Sequence, residues 1–472
     1  MGDEISDTKF SAEVFEEFRN RLDMETVILQ SWIDEGKLRC DRPWAGCELE
    51  AWLTDGDGNP APNNDELLSK LDNKLVVPEL AKFNIELNTE PLAIESGFLE
   101  TMHSNLLALW QDCERTALSQ GRSMTMIGIL PSVKQSDLCM ENQSNMKRYL
   151  ALNEQIFRLR NGAPLQLKIE GKESLEIEHF DVMLEAAATS LQIHYKVDID
   201  KAVTAYNASR ILSAPIVAMS ANSPFLFGHD LWAESRIPLF EQAVKVGGSA
   251  YSNRVSFGIR HAGESIMECF NVNRVRYPTL LPQLMDTPPE ELAHLRMHNG
   301  TIWRWNRPLV GFSESGEPHI RIEHRVPAAG PSMVDTVANA AFYFGALTAL
   351  LGAPEPIEKT IPNRDAAHNF YECAKHGLDA QVLWRSKQPI AVKELIIQEL
   401  LPLAKRGLLS IGYNAVDADY WLDIIKQRVT SGQNGASWQR NWVSKYGRDF
   451  KQLVLNYHDN QANNIPVHSW ML

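Results

Sequence analysis

Four short segments of this chain alternate apolar and polar residues, and this two-residue period is typical of strands with one buried face. Exposed strand faces are usually rich in Thr, Lys and mixed polar residues, whereas the polar positions here are mostly Glu, Asn, His and Arg. Either these faces contact water, as one side of an antiparallel sheet often does, or they line a concave site. The segments are 45–53, 82–89, 190–197 and 319–326.

The side-chain chemistry of the polar faces favours a site. Carboxylates clustered with an imidazole suit a hard divalent cation such as Mg²⁺, and arginines suit phosphate or carboxylate groups. We therefore predict that the four strands carry a metal and anion site. Its candidate residues are Glu48, Glu50, Glu86, His194, Arg321, Glu323 and Arg325.

Helical segments surround the predicted strands. Apolar residues at helical spacing predict amphipathic helices that pack on the sheet. Asp198 or Asp200 is a candidate N-cap for the predicted helix 198–213. A further apolar helix, 336–351, is followed by Gly and Pro residues and then by about a hundred residues that are almost entirely helical in pattern. The other predicted helices are 10–36, 97–120, 146–160 and 198–213.

This organisation predicts three regions. The four strands fall in the middle one, and the Gly- and Pro-rich stretch marks its end. The regions are an N-terminal helical segment (1–40), a middle domain that contains the four strands (41–355) and a C-terminal helical region (356–472).

Composition excludes several classes of protein. A formal net charge of −14 argues against general nucleic-acid binding, which needs a basic face. The acidic start at Met1 lacks the features of an export signal, and the six cysteines form no CxxC pair, so we expect reduced thiols and a cytoplasmic location. Two uncharged stretches, 211–228 and 336–354, contain Pro, Asn or Gly and are interpreted as buried core, with no membrane partner.

Common nucleotide and hydrolase motifs are absent from the sequence. It contains no GxxxxGK[ST] loop, no GxGxxG after a strand, no HExxH and no GxSxG. The Gly-rich segment 55–60 lacks the spaced Glu of a calcium loop and is interpreted as a turn after the first strand.

An ordered set of short strings resembles the glutamate-cysteine ligase family of carboxylate-amine ligases, over residues 45 to about 350. Two positions depart from that pattern: Leu49 stands between two glutamates where relatives often have a third, and Gln192 stands where a second histidine is frequent. The strings are Gly46-Cys-Glu48-Leu-Glu50, Phe83-Asn-Ile-Glu86-Leu-Asn-Thr89-Glu-Pro91, Arg148-Tyr149, Leu191-Gln-Ile-His194, Ala218-Met-Ser-Ala-Asn222-Ser-Pro224, Ser235-Arg236 and Arg321-Ile-Glu323-His-Arg325.

The resemblance implies an α+β, glutamine synthetase-like fold, in which a curved antiparallel sheet lines the active site and helices pack outside. It implies ATP and Mg²⁺, with Mn²⁺ as the alternative ion, and small-molecule substrates: glutamate, an amine such as cysteine, and ATP. ATP would phosphorylate the γ-carboxylate of glutamate, and the amine would then displace the phosphate to form an amide. With cysteine as the amine, the reaction would belong to glutathione biosynthesis.

The resemblance and the residue chemistry together assign roles. Forming an amide at neutral pH needs a good leaving group, and cations must offset the charge of the reacting phosphate. The predicted metal ligands are Glu48, Glu50, Glu86, His194 and Glu323, with contact to a phosphate as the alternative role of His194. Arg325 and Arg321 would contact the transferring phosphoryl group, Arg236, Arg148 and Asn222 would bind substrate, and Arg307 and Lys196 would contact the nucleotide.

Three functional hypotheses stay open at this point. The leading one is the ATP-dependent ligase, the second is a guanidino kinase-like phosphotransferase on the same fold, and the third is a non-catalytic binding or scaffold protein. The sequence identifies neither the amine nor the oligomeric state, and a homo-oligomer is left open.

Overall fold

A computed structural model describes residues 4–247, 253–385 and 387–472 of the chain. Eight of its strands form one sheet, and every pairing in that sheet is antiparallel. The strands are β1 (Trp44–Thr54), β2 (Val76–Pro78), β3 (Asn84–Asn88), β4 (Leu92–Ala93), β5 (Ser123–Thr125), β6 (Leu165–Glu170), β7 (Ser174–His179), β8 (Leu191–Val197), β9 (Phe225–Leu226), β10 (His229–Asp230), β11 (Asn306–Phe312), β12 (Pro318–His324), β13 (Gln381–Leu383) and β14 (Pro389–Ala391).

The main sheet has the order β11-β12-β8-β1-β3-β2, while β4 and β5 also pair with β1, and the sheet curls into a half-barrel. All four predicted strands are present as β1, β3, β8 and β12, and they are neighbours in this sheet. Their apolar side chains, such as Leu49, Ile85, Ile193 and Ile322, are fully buried in the larger hydrophobic core. The polar side chains consequently share the opposite, concave face.

Helices cover the convex side of the sheet and its ends. Predicted helices 10–36, 97–120 and 146–160 are confirmed as α1, α3 and α4. The helices are α1 (Ala12–Asp34), α2 (Asn64–Leu71), α3 (Phe98–Leu118), α4 (Lys147–Leu159), α5 (Ala202–Ser220), α6 (Arg236–Ala243), α7 (Met267–Arg276), α8 (Ala293–Gly300), α9 (Met333–Leu351), α10 (Asn363–His376), α11 (Val392–Leu395), α12 (Leu401–Ser410), α13 (Ala415–Ser431), α14 (Gly435–Tyr446) and α15 (Phe450–Ala462).

The fourth predicted helix, 198–213, differs at both ends. Asp198 caps a short 3₁₀ turn by accepting a hydrogen bond from the backbone N–H of Asp200, and α5 begins only after that turn. It then continues to Ser220, past Pro215, because nearly every residue of α5 is buried and packing holds the turns together. The prediction also missed the β6–β7 hairpin and strand β11, while the turn at 55–60 is confirmed by backbone N–H groups that donate to Asp55.

Helices α5 and α9 form the centre of the core. The two uncharged stretches interpreted as buried core fall largely on them, and both helices are buried. In the described part of the chain, α9 alone is long and apolar enough to span a membrane by length and composition, and 83% of its most apolar window is buried inside the protein.

The C-terminal helices share this core. Helices α12 and α13 pack on α9, and α10 packs on α5. Gly345 of α9 and Gly407 of α12 face each other so closely that a Cβ atom at either position would overlap backbone atoms of the other helix. One hydrophobic cluster accordingly contains residues from Ile5 to Val429. The division of the chain into three regions stays a prediction.

Candidate active site

The concave face of the sheet forms one wall of a cavity of about 220 Å³. Six carboxylates and several arginines line one part of it, and apolar side chains line the rest. The carboxylates are Glu48, Glu50, Glu79, Glu86, Glu185 and Glu323, and the arginines are Arg148, Arg296, Arg307, Arg321 and Arg325.

The first carboxylate cluster contains Glu48, His194 and Glu323, which come from three adjacent strands. His194 of β8 is directly opposite Glu323 of β12, and β1 places Glu48 beside them. One potential ligand atom from each residue lies within 4.8 Å of the others, and His194 Nε2 is 3.0 Å from Glu48 Oε1. Strand pairing alone thus brings together residues that are up to 275 positions apart.

Arginines surround this first cluster. Arg307 Nε donates to Glu323 Oε2 at 2.5 Å and its Nη2 donates to Oε1 at 3.1 Å, a two-point contact, while Arg325 Nη1 lies 3.4 Å from Glu323 Oε2. Burial alone would raise the pKa of Glu323, but the two guanidinium groups hold it at about 2. Burial is likewise outweighed at Glu48, where the imidazole of His194 keeps the pKa well below its usual value.

A hydrogen bond orients the ring of His194. Arg321 Nε donates to His194 Nδ1 at 3.1 Å, so Nδ1 serves as an acceptor. Nε2, which lies 3.0 Å from Glu48 Oε1, makes no hydrogen bond among the described residues and is the nitrogen that could bind a cation.

The second cluster contains Glu50, Glu79 and Glu86, whose nearest oxygens also lie within 4.8 Å of one another. Glu50 and Glu86 are directly opposite across β1 and β3, and Glu79 follows the short edge strand β2, which pairs with β3. Sequence reasoning missed Glu79, because Val76–Pro78 has too few residues to show alternation.

The carboxyl groups of the second cluster resist ionisation. Burial, reinforced by Glu48 and Glu50, raises the pKa of Glu86 to about 7. Burial and the neighbouring carboxylates Glu86 and Glu50 raise the pKa of Glu79 well above its usual value. Two buried carboxylates and one half-buried carboxylate held this close repel one another, and a cation would relieve the repulsion.

Gln192 connects the two clusters. Its Nε2 donates to Glu50 Oε1 at 2.8 Å, and its Oε1 accepts a hydrogen bond from Arg325. Glu50 also accepts from the backbone N–H of Ser190 at 2.6 Å. The amide that replaces the second histidine of the family pattern therefore orients one predicted metal ligand and one predicted catalytic arginine.

The donor sets of both clusters fit hard divalent cations. Carboxylate oxygens with one imidazole are ligands that Mg²⁺ and Mn²⁺ accept, and both groups are held with their ligand atoms converging. The five predicted metal ligands divide between the clusters, with Glu79 completing the second.

Three other predicted site residues lie outside the cavity lining. Arg236 is buried, with Nε donating to Glu234 at 3.1 Å and its Nη atoms donating to the backbone carbonyls of Arg325 and Val326. Asn222 is fully buried and donates to Ala329 O and Tyr457 Oη. Both side chains therefore form buried hydrogen bonds within the protein and do not face the cavity.

Lys196 is the third. It lies opposite Arg321 across β8 and β12, and it is not among the residues that line the cavity. Arg148 and Arg307 do line it, so these two remain candidates for substrate and nucleotide contacts.

The other part of the cavity is apolar. Trp303 and residues of α6, α7, α8 and β11 line it, whereas Trp305 is buried in the core and donates to Glu241 Oε1 at 2.8 Å. A flat aromatic or aliphatic group would lose water-exposed surface here. The remaining lining residues of this part include Phe240, Phe270, Leu281, Leu295, Met297, Leu309 and Val310.

The family described as Glutamate-cysteine ligase family 2 (GCS2) matches residues 44–456. The chain belongs to this family. That confirms the resemblance read from the ordered strings, and it identifies the protein as an ATP-dependent ligase that forms C–N bonds. No curated protein matches the chain in sequence.

Solved structures support the fold of this family member. The chain is similar to a glutamate–cysteine ligase of Francisella tularensis in complex with AMP, with a TM-score of 0.58 and 13% identity over 92% of this chain and 90% of that one. It is also similar to a bifunctional glutathione synthetase from Pasteurella multocida, with a TM-score of 0.50 and 11% identity over 93% of this chain and 55% of that one. The predicted glutamine synthetase-like α+β fold is confirmed.

Proposed function

We propose that this ligase joins the γ-carboxylate of glutamate to an amine, with cysteine as the default amine, through an acyl-phosphate intermediate. The observation that carries the proposal is the convergence of two carboxylate clusters and Arg325 on one cavity. A cytoplasmic role in glutathione biosynthesis would follow from cysteine as the amine, and the six free cysteines fit such a reducing compartment.

The two clusters are proposed to hold Mg²⁺, with Mn²⁺ as the alternative. Bound there, the ions would screen the charge between a carboxylate substrate and the triphosphate of ATP. Glu48, His194 and Glu323 would hold one ion, and Glu50, Glu79 and Glu86 would hold another. The low pKa of Glu323 keeps the first set charged at neutral pH, and the raised pKa of Glu86 means that the second set must lose protons before it binds an ion.

Arg325 is proposed to stabilise the phosphoryl group during transfer. Its guanidinium lies between the two clusters, in contact with Glu323 and Gln192, and it lines the cavity. A planar fork can bind two phosphate oxygens and offset their charge. Arg321 also lines the cavity but donates to His194, so its first role is to orient that ring.

The remaining parts of the cavity are proposed to bind glutamate and the nucleotide at separate positions. Arg148, which lines the same cavity as the second cluster, would bind a carboxylate of glutamate, since a guanidinium pairs well with a carboxylate. The apolar end beside Trp303 suits the adenine base, and Arg307, which already holds Glu323, would approach the phosphates from that side.

The test is a product screen with the wild-type chain, Mg²⁺ and ATP, in which glutamate is fixed and the amine is varied. We expect ADP release that requires both glutamate and an amine, and a product whose mass equals glutamate plus amine minus water. Glu50→Gln should abolish both signals, while Glu154→Gln, an exposed change on α4, should leave them intact. ATP turnover without glutamate, or a phosphorylated guanidino product, would overturn the proposal.

A further inference from the structure

Glu185 is a carboxylate on the cavity wall that neither metal cluster contains. It lies in a 3₁₀ turn, Val182–Ala187, which Asp181 caps by accepting from Met183 N at 2.9 Å. Asn153 of α4 accepts a hydrogen bond from Val182 N at 3.1 Å and so ties the turn to that helix. These hydrogen bonds hold the turn in place, and its one acidic side chain lines the cavity.

The carboxylate of Glu185 has no hydrogen bond or ion pair among residues 4–247, 253–385 and 387–472. Every other carboxylate that lines the cavity belongs to one of the two clusters or touches an arginine. The charged and titratable groups that act on Glu185 are Glu50, Glu79, Arg148, Tyr149 and Arg325.

A half-buried carboxylate that faces a substrate cavity is suited to a compact cation. The amine substrate of a carboxylate-amine ligase arrives as an ammonium ion at neutral pH, and its nitrogen has no lone pair for attack until it loses a proton. We propose that Glu185 binds the ammonium group of the amine substrate and accepts its proton before the amide bond forms, an inference that rests on the proposed function.

The proposed step removes two protons from the amine nitrogen and releases phosphate from the acyl carbon. One proton moves from the ammonium nitrogen to a carboxylate oxygen of Glu185, which leaves a neutral amine. The nitrogen lone pair forms the C–N bond at the acyl carbon, the C–O bond to phosphate breaks, and inorganic phosphate leaves with that electron pair. The second nitrogen proton passes to solvent, and the amide remains.

The electrostatic environment of Glu185 supports this role. Burial, together with the nearby Glu50, raises the pKa of Glu185 to about 8, against the lowering effect of Arg325 and Arg148. The Glu185 carboxyl group is half ionised near pH 8, and an arriving ammonium ion favours the ionised form, so the group can accept a proton and release it in each turnover.

The experiment compares charged and uncharged nucleophiles in Glu185→Gln. Hydroxylamine is mainly uncharged at neutral pH and needs no carboxylate to bind or deprotonate it, whereas cysteine, methylamine and putrescine arrive as ammonium ions. With glutamate, Mg²⁺ and ATP present, we expect the variant to lose at least about 100-fold in amide formation with every ammonium probe that the wild type uses. Hydroxamate formation should stay within about threefold of wild type.

Two further variants keep the test decisive. Glu185→Asp retains the charge and should recover part of the amine-dependent rate, and Glu154→Gln should behave as wild type. Equal loss with hydroxylamine and with the amines, or no loss with either, would overturn the role of Glu185. Failure of the wild type to form either hydroxamate or amide would instead overturn the proposed function itself.

Discussion

The two carboxylate clusters lie on the same face of one sheet but differ in their electrostatics. Glu323 in the first cluster contacts Arg307 and Arg325, and its pKa is about 2. Glu86 in the second has Asn88 as a hydrogen-bond donor and carboxylates as neighbours, and its pKa is about 7. Both clusters are buried, so contact with guanidinium and imidazole groups, and not burial, decides which cluster is ionised before any cation binds.

The largest expected effect comes from breaking the arginine-rich cluster. Glu323→Gln removes a predicted metal ligand and leaves two buried guanidinium groups without their shared carboxylate, so ATP turnover should fall by roughly 1,000-fold or more. Steady-state ADP release measures the loss, and circular dichroism checks the fold. Glu317→Gln, an exposed change just before β12, is the control. Wild-type turnover in folded Glu323→Gln protein would rule out this ligand.

The next effect concerns the arginine that stands between the clusters. Arg325→Lys keeps the charge but loses the planar fork and the hydrogen bond to Gln192, so kcat should fall by about 100-fold. The KM for ATP should change much less, because the lost contacts act mainly on the transferring phosphoryl group. Initial rates at varied ATP separate the two constants. A rise in KM with unchanged kcat would assign Arg325 to ground-state binding instead.

A smaller effect distinguishes the clusters by pH. Carboxylates must be ionised to bind a cation, so the raised pKa of Glu86 predicts that Mg²⁺ affinity increases from pH 6 to pH 8, by up to about tenfold per unit for each proton displaced. Calorimetric titrations in buffers of different ionisation enthalpy would measure the proton release. Glu86→Gln should bind more weakly and show a smaller pH dependence, because Glu79 still has to lose a proton, whereas Glu48→Gln should keep the full dependence. Mg²⁺ affinity that is flat across this range would contradict the assignment.

The smallest effect is on stability without metal. A carboxyl group with a raised pKa stabilises the native state fully below its unfolded pKa, and the contribution disappears as the pH rises through the folded value. As Glu86 ionises, the Tm of the metal-free protein should therefore fall by a few degrees between about pH 5 and pH 8. Glu323, with its pKa near 2, should not change the Tm in that pH range. Thermal melts of wild type and Glu86→Gln at several pH values test this. A steeper slope in the variant would contradict it.

Strand alternation predicted much of the site from the sequence. A period of two residues assigns each side chain to a face, so Glu48, Glu50, Glu86, His194 and Glu323 were all placed on one surface without any knowledge of strand order. Their division into two clusters depends on strand order and register, which are tertiary features.

Sequence patterns did not predict the residues whose position in the site depends on tertiary contacts. Glu79 follows a three-residue strand, and Glu185 lies in a short apolar turn, so neither stands in a periodic segment. Arg236 and Asn222 stand in recognisable strings, yet their side chains satisfy buried carbonyl groups behind the cavity. A short motif does not indicate whether a side chain faces the cavity or packs behind it, because that depends on tertiary contacts.

The close contact between Gly345 and Gly407 has a consequence for synthesis of the chain on the ribosome. Helix α9 emerges with α3 and α5 already available to cover part of its surface, but the side that receives α12 and α13 stays bare until some eighty further residues have been made. During that interval the nascent chain displays a nineteen-residue apolar helix of membrane-spanning length. The last quarter of the protein thus shields α9 from competing apolar surfaces in the cell.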